Sequence, residues 1–299
     1  MLAASLDAGR HIVAGAFPAL HSRDDNAALK GPIARAGSLE VRLAQTKREV
    51  RKAQRLRFKV FFKEGGALAD AKTALTRRDA DRFDRHCDHL IVIDHAVRNR
   101  FGKIKPKVVG AYRLLRSDIA FSKCGFYSAD EYNVSELILR HPGKRFLELG
   151  RSCVLADYRS KRTIDLLWRG LLAYIRHHQI DVLIGCASFD GANPLKHAAA
   201  LSYLAHHARA ENEWRVRARD QRYAPMDMLS RDAVDQKRAL AALPPLIKGY
   251  LRVGARFGDG AVVDRKFNTV DVFVVMPVGL MDARYLEHFG SEKTVSQAA

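Results

Sequence analysis

Between Arg145 and Ser188 an apolar strand, a basic turn, an amphipathic helix and a second apolar strand follow one another with little chain between them. The first strand reads Phe146-Leu-Glu148-Leu-Gly150-Arg151 and the turn carries Arg159, Lys161 and Arg162. Thr163 to His178 then sets Ile164, Leu167, Leu171, Leu172 and Ile175 on one helical face, and Asp181 to Ser188 (DVLIGCAS) is a strand again. A helix with a single apolar stripe must lie against another layer, and the strands on either side of it supply a sheet to cover.

The same kinds of element recur along the chain. Thr46-Lys-Arg-Glu49 has capping-box spacing, and Val50, Ala53, Val60 and Phe61 recur near the helical period, so a basic amphipathic helix runs to Gly65-Gly66. A polar loop from Asp79 to Asp88 leads into the strand Leu90-Ile-Val-Ile93, and Val108 to Leu115 is the next strand. Arg116 to Arg140 is a long connection. Asn193-Pro194 caps a helix running to about His207, and Pro244-Pro245 opens another to Leu251. Val262-Val263 and Thr269 to Met276 close the chain as strands. Early strand-to-strand steps favour a mixed sheet over a uniform strand–helix–strand series, and the class expected is α+β. Residues 1–40 lack a clear period and read as a loosely ordered arm, 41–290 as the domain, and 291–299 as a tail.

Lys and Arg total 51 against 33 acids, a net charge of +18, and such a field attracts polyanions. Nucleic acid, an anionic membrane face and an acidic protein all qualify. The four cysteines, Cys87, Cys124, Cys153 and Cys186, form no CxxC pair and no metal-ligand spacing, a pattern that suits buried thiols in a reducing compartment and no metal site. The start, MLAASLDAGRHIVAGAFPAL, lacks a basic segment followed by an unbroken apolar one, so no secretory signal is expected. The longest apolar run, Val270 to Met281, is broken by Asp271 and Pro277 and reads as a buried strand. The expectation is a cytoplasmic protein, peripheral at most to the inner membrane face.

Strand parity supplies a sharper test. Glu148 and Arg151 are three apart, so a regular strand would put them on opposite faces. A bulge at Gly150 would bring both to one face, splay the strand from its neighbour and free N–H donors beside a groove. The competing reading is a Glu148–Arg151 ion pair inside the sheet. The turn before the helix is an anion site in physical terms, because free backbone N–H groups and the helix dipole point at it and Arg159, Lys161 and Arg162 add charge. A solvated helix start is the plainer alternative.

A bulged central strand, a basic turn and a helix resemble the GNAT-type acyltransferases, although the turn Arg159-Ser-Lys-Arg-Thr163 has no glycine where that superfamily often has a Gly-rich motif. The finer pattern is similar to that of acyl-homoserine-lactone synthases: Arg57 and Phe61 four apart on an early helix, Asp81 and Asp84, then Arg113 in GAYRLL, then Glu148 and Arg151. The second half differs from those synthases. GCASFDGANPLKHAAALSYLAHH and LPPLIKGYLRVGARFGDGAVVDRKFNTVDVFVV resemble the L-ornithine Nα-acyltransferases of bacterial ornithine-lipid synthesis, over roughly residues 40–288. The resemblance implies a GNAT-like mixed sheet with a bulged, splayed strand and no bound cofactor. It also implies transfer of a 3-hydroxyacyl chain from the phosphopantetheine thioester of acyl carrier protein to the α-amine of L-ornithine, giving lyso-ornithine lipid.

Such chemistry needs a neutral amine, a stabilised oxyanion and a thiol leaving group. Glu148 suits a general base acting through a water, and N–H groups freed by the bulge suit the oxyanion. Asp81, Asp84 and Arg113 suit an amino acid with a second cation, the acids taking the ammonium and Arg113 or Arg151 the carboxylate, against the plain reading of a solvated loop. Arg159, Lys161 and Arg162 suit the phosphate or the acidic helices of the carrier. Cys153 lacks a neighbouring His base and reads as core. His89 and Asp94 have the H-x4-D spacing of glycerolipid acyltransferases, but residues five apart on a strand face opposite ways. Two other functions compete: a lactone synthase proper, and a nucleic-acid-binding protein using Arg209, Arg215, Arg217, Arg219 and Arg222 as a phosphate stripe. No helix-turn-helix, zinc or RNA-motif signature accompanies that stripe, and no nucleic-acid partner is expected.

Overall fold

The computed structural model describes residues 26–290 apart from Ala28 and Lys30. These form one sheet in the order β1-β2-β3-β4-β5-β6-β9-β8-β7. The strands are β1 Ala34–Ala36, β2 Leu39–Leu43, β3 Asp88–Asp94, β4 Lys107–Arg116, β5 Phe146–Val154, β6 Val182–Asp190, β7 Tyr223–Ala224, β8 Arg256–Asp264 and β9 Thr269–Pro277. The helices are α1 Lys47–Arg57, α2 Ala71–Thr76, α3 Val134–Arg140, α4 Lys161–His178, α5 Ala198–His207, α6 Gln236–Ala242, α7 Pro245–Arg252 and α8 Ala283–Gly290. Only β5 and β6 pair in parallel, joined by α4; every other pairing in the sheet is antiparallel. This is the mixed α+β sheet expected.

Period-two alternation sorts the strand side chains into two cores. Phe146, Val182, Ile184, Phe273 and Val275 pack on one face with Tyr132 and Leu137. Leu147, Leu183, Val274 and Met276 pack on the other with Leu166, Leu167, Leu171, Leu172 and Ile175 of α4. Ser160 caps α4 by accepting the Thr163 N–H, and Gln179 ends it in a left-handed conformation at φ +50°. Gly170 lets this helix lie close to the sheet, because a Cβ there would come within 2.8 Å of Leu90 Cδ1 and 2.9 Å of Val41 Cγ2.

The expected N-terminal arm needs correction where it is described. Ala34–Ala36 and Leu39–Leu43 form a hairpin on the edge of the sheet, and Leu39 to Leu43 pair with Asp94 to Leu90. Leu39, Val41 and Leu43 do alternate with Glu40 and Arg42, but over five residues only, too short a run to stand out from its surroundings. Residues 1–25 and the tail 291–299 lie outside the described residues. The early helix is also longer than its α-helical part, since α1 continues as a π-helical segment, Phe58–Glu64, to Gly65. Such segments concentrate at functional sites.

The pairing of β5 with β6 is brief. It runs from Phe146↔Val182 to Leu149↔Gly185 and stops. Beyond that point β6 stays with β9 as far as Asp190↔Thr269, and β5 stays with β4 as far as Val154↔Gly110. Gly185 stands at the fork with φ +156°, where a Cβ would lie 2.3 Å from the Leu149 carbonyl oxygen. Gly185→Ala therefore has to push the two strands apart. We expect a loss of about 1–3 kcal/mol, read as a lowered midpoint in chemical denaturation, whereas alanine at Gly279, where a Cβ meets open space, leaves the midpoint unchanged.

Candidate active site

The fork between β5 and β6 opens into a cleft of about 240 Å³. Its wall includes Phe61, Arg113, Tyr127, Glu148, Gly150, Arg151, Tyr250, Asp264, Phe267 and Asp271. Glu148 and Arg151 thus face one space, as a bulge requires. The bulge lies one residue further on than Gly150. Gly150 pairs with Arg113 and Cys153 with Ala111, so Arg151 and Ser152 share the single partner Tyr112. The left-handed residue is Arg151 itself, at φ +52°. An L-residue there costs roughly 1–2 kcal/mol, so the surroundings must hold it.

They do so through a closed ring of six alternating charges. Arg57 meets Asp79 at 2.9 Å, Asp79 meets Arg151 at 3.2 Å, and Arg151 meets Asp81 at 3.5 Å. Asp81 meets Arg113 at 2.6 Å, Arg113 meets Asp84 at 3.4 Å, and Asp84 returns to Arg57 at 2.8 Å. The ring ties the end of α1, the loop 79–84, β4 and β5 to one another. Arg57 is 1% exposed, and Gln54 adds a hydrogen bond to Asp84 at 2.9 Å. Burial pushes the Asp84 carboxyl up, but the Arg57 guanidinium bonded to it and the Arg113 charge beside it together hold it well below the usual carboxylate range. Burial and the Arg113 charge oppose each other in the same way at Asp81, and the net direction is again down. The Arg151 guanidinium also lies over the rings of Tyr127 (4.7 Å) and Phe267 (4.4 Å).

The expected assignment of Asp81 and Asp84 to a substrate ammonium therefore needs revision. Both carboxylates are occupied by guanidinium groups, and neither Asp81, Asp84 nor Arg57 lines the cleft. Phe61, Arg113 and Arg151 do line it.

Glu148 makes no ion pair with Arg151 among the described residues. Its Oε1 accepts from the Ser128 N–H (2.8 Å) and hydroxyl (2.5 Å), and its Oε2 accepts from the Tyr127 N–H (2.7 Å). Burial raises its carboxyl above the ordinary range and these donors only partly offset that. Burial pushes the Cys153 thiol up to about 12, which leaves it a protonated core residue. His89 bonds the Asp84 carbonyl at 3.0 Å while Asp94 accepts from Tyr158, so the H-x4-D pair does not act together.

The cations before α4 lie on the surface. Arg159 reaches Glu64 at 2.6 Å, and Lys161 and Arg162 are exposed at the helix start. The basic stretch 209–222 is spent on internal partners. Arg215 donates to the Ala210 carbonyl, Arg217 pairs with Asp259 at 2.6 Å, Arg219 donates to the Ala129 carbonyl and Arg222 pairs with Glu131 at 3.2 Å. Sequence reasoning missed Asp79, Tyr127, Glu131, Asp264, Phe267 and Asp271. The one visible signal was Asp271, an acid inside an apolar strand.

Residues 56–169 match the acetyltransferase (GNAT) domain family. Over 260 residues the chain is 52% identical to an L-ornithine N(alpha)-acyltransferase of Brucella abortus (strain 2308), covering 87% of this chain and 92% of that protein. It is 49% identical over 260 residues to an L-ornithine N(alpha)-acyltransferase of Rhizobium meliloti (strain 1021), covering 87% of each. A solved N-acyl amino acid synthase from uncultured soil microbes superposes with a TM-score of 0.45 at 12% identity over 81% of this chain and 91% of that one, too loosely to assign a role to any residue.

Neutralising one acid of the ring leaves three buried guanidinium groups sharing two carboxylates. Asp84→Asn should cost about 3–5 kcal/mol. Its effect also depends on pH. Unfolded Asp ionises near 3.9 and folded Asp84 well below that, so its stabilisation is complete above the unfolded value and is lost as pH falls toward the folded one. Urea titrations at pH 7 and pH 3 should show a smaller pH-dependent loss in the variant than in the wild type.

Proposed function

Because the chain belongs to the family of L-ornithine Nα-acyltransferases, we propose that this acyltransferase moves a 3-hydroxyacyl chain from the phosphopantetheine thioester of acyl carrier protein to the α-amine of L-ornithine, forming lyso-ornithine lipid. The observation that carries the reading is the left-handed bulge at Arg151, which gives one cleft both a buried carboxylate and two guanidinium groups.

In this reading the neutral α-amine attacks the thioester carbonyl carbon. The C–N bond forms and the carbonyl π pair moves onto oxygen. Collapse of that intermediate restores the carbonyl and breaks the C–S bond, and the thiolate takes up a proton as it leaves. Glu148 removes the amine proton through a water. A carboxylate has about four acceptor positions, and Ser128 and Tyr127 occupy three of them with N–H and O–H donors, so one is left. Its raised pKa suits a base working near neutral pH. Backbone N–H groups around Gly150 to Ser152, where β5 has left β6, suit the oxyanion.

Arg113 and Arg151 take the ornithine carboxylate, and Phe61 packs against the substrate. Arg57, Asp81 and Asp84 act as positioning residues that hold those two guanidinium groups. Behind Leu149 and Tyr250 the cleft adjoins an apolar cavity of about 10 Å³ lined by Leu183, Val274 and Met276, and an acyl chain entering there has to part these side chains. Arg159, Lys161 and Arg162 at the start of α4 suit the carrier's phosphate and acidic helices, and the net charge of +18 favours an acidic partner.

The test offers purified protein an acyl carrier thioester with ornithine or with S-adenosylmethionine, and identifies the product by mass spectrometry. Nα-acyl-ornithine is expected; a lactone would overturn the reading in favour of a lactone synthase. Glu148→Gln should lower kcat by about 10²- to 10⁴-fold. A glutamine amide there faces one N–H donor with another, so a melting curve must show that the variant is folded.

Among the described residues no helix is long and apolar enough to cross a membrane. Peripheral contact with an anionic surface follows from the product's acyl chain and the basic surface, each basic residue near such a leaflet contributing about 1 kcal/mol. Flotation with anionic liposomes should show binding that high salt abolishes; salt-insensitive binding, or none, counts against it.

A further inference from the structure

Three carboxylates that the proposed chemistry does not use meet at one side of the cleft. Glu131 follows the short turn Tyr127–Asp130, Asp264 ends β8 and Asp271 lies within β9. One carboxylate oxygen from each lies within 4.8 Å of the others. Asp264 and Asp271 line the same cleft as Glu148 and Arg151. Asp271 sits opposite Ser188 of β6 and Val262 of β8, is 7% exposed, and its Oδ1 has no hydrogen-bond partner. An orphaned oxygen on a buried acid is costly unless something charged arrives to meet it.

The neighbours meet the charge of this group only in part. Asp264 uses Oδ1 to accept the N–H groups of Lys266 (2.8 Å) and Phe267 (3.0 Å). Glu131 is met by Arg222 at 3.2 Å and by the Cys186 thiol at 3.8 Å. Among the described residues Arg222 is the one guanidinium in ion-pair contact with the three acids. Burial, with the Asp271 charge behind it, pushes the Glu131 carboxyl up to about 7, and burial pushes Asp271 up to about 6. A cation beside the group would favour the ionised form of both. An ammonium brings three N–H donors and no need for a full oxygen shell. A divalent calcium or magnesium ion takes six or more oxygens, and two of these carboxylates are already partly committed.

We propose that Asp264 and Asp271, backed by Glu131, bind the side-chain ammonium of the acyl acceptor and set a preference for a diamino acid. The acceptor then lies across the cleft, its carboxylate on the Arg151 side and its side-chain cation on the β8–β9 side. Its α-amine stays toward Glu148. This inference rests on the reading of the preceding subsection that the acceptor is an amino acid.

The test compares kcat/KM for L-ornithine and L-norvaline, which has the same carbon chain without the ammonium, in wild type, Asp271→Asn and Asp264→Asn. Wild type should prefer ornithine by about 10- to 100-fold or more. Each variant should raise KM for ornithine about tenfold or more and shrink the preference for ornithine over norvaline. Asp264 is less buried than Asp271, so its variant decides the matter if Asp271→Asn fails to fold. A wild-type preference below about threefold, or a preference that both folded variants retain, overturns the proposal. So does ornithine activity that is lost with EDTA and restored by a divalent cation, which would make the acids a metal site. Failure of wild type to acylate any amino acid sinks the acyl-acceptor reading and this inference with it, whereas acylation of both substrates alike sinks this inference alone.

Discussion

The ring of Arg57, Asp79, Arg151, Asp81, Arg113 and Asp84 is the interaction on which the site depends. Taking six charges out of water is expensive, and the cost is recovered only when each has an oppositely charged neighbour on both sides. A closed ring satisfies that condition where an open row would leave two ends. It also spans four pieces of chain that are distant in sequence, so the backbone of β5 cannot relax at Arg151 without breaking its contacts to Asp79 and Asp81, which in turn hold Arg57 of α1 and Arg113 of β4. The left-handed conformation at Arg151 persists for that reason, and the fork beside β6 follows from it.

The cleft that results is electrostatically graded. The guanidinium groups of Arg113 and Arg151 stand on its β4–β5 wall, and the carboxylates of Asp264 and Asp271 on its β8–β9 wall. Glu148 sits with the cations yet is raised rather than lowered, because it is buried and its hydrogen bonds come from the neutral Tyr127–Ser128 turn and not from a guanidinium. Tyr127 links these parts, since its N–H holds Glu148 while its ring packs under Arg151.

Much of this frame was legible in the sequence. The stripe on Thr163 to His178 and the apolar runs at 90–93, 108–115 and 181–188 are strong periodic signals, and they became α4, β3, β4 and β6. The bulge was legible but displaced by one residue. Glycine is the default for a left-handed turn, so attention fell on Gly150, and only the tertiary ring explains why Arg151 adopts it. Arg57, Asp81, Asp84 and Arg113 stood out as a pattern, yet no spacing rule tells an acid that faces a ligand from one that faces an arginine about thirty positions away. The acids at 131, 264 and 271 come from three elements that only the sheet brings together. The hairpin at 34–43 was too short for its alternation to register.

The brevity of the β5–β6 pairing has a mechanical consequence. The sheet amounts to two antiparallel leaves, one of five strands and one of four, stitched along a seam of four residue pairs and joined in sequence by α4. A guest wedged into the open part of that seam breaks no ladder hydrogen bonds, because none span it. The sheet can thus admit a guest at this opening, keep its spine intact and yield only at the margin of the book.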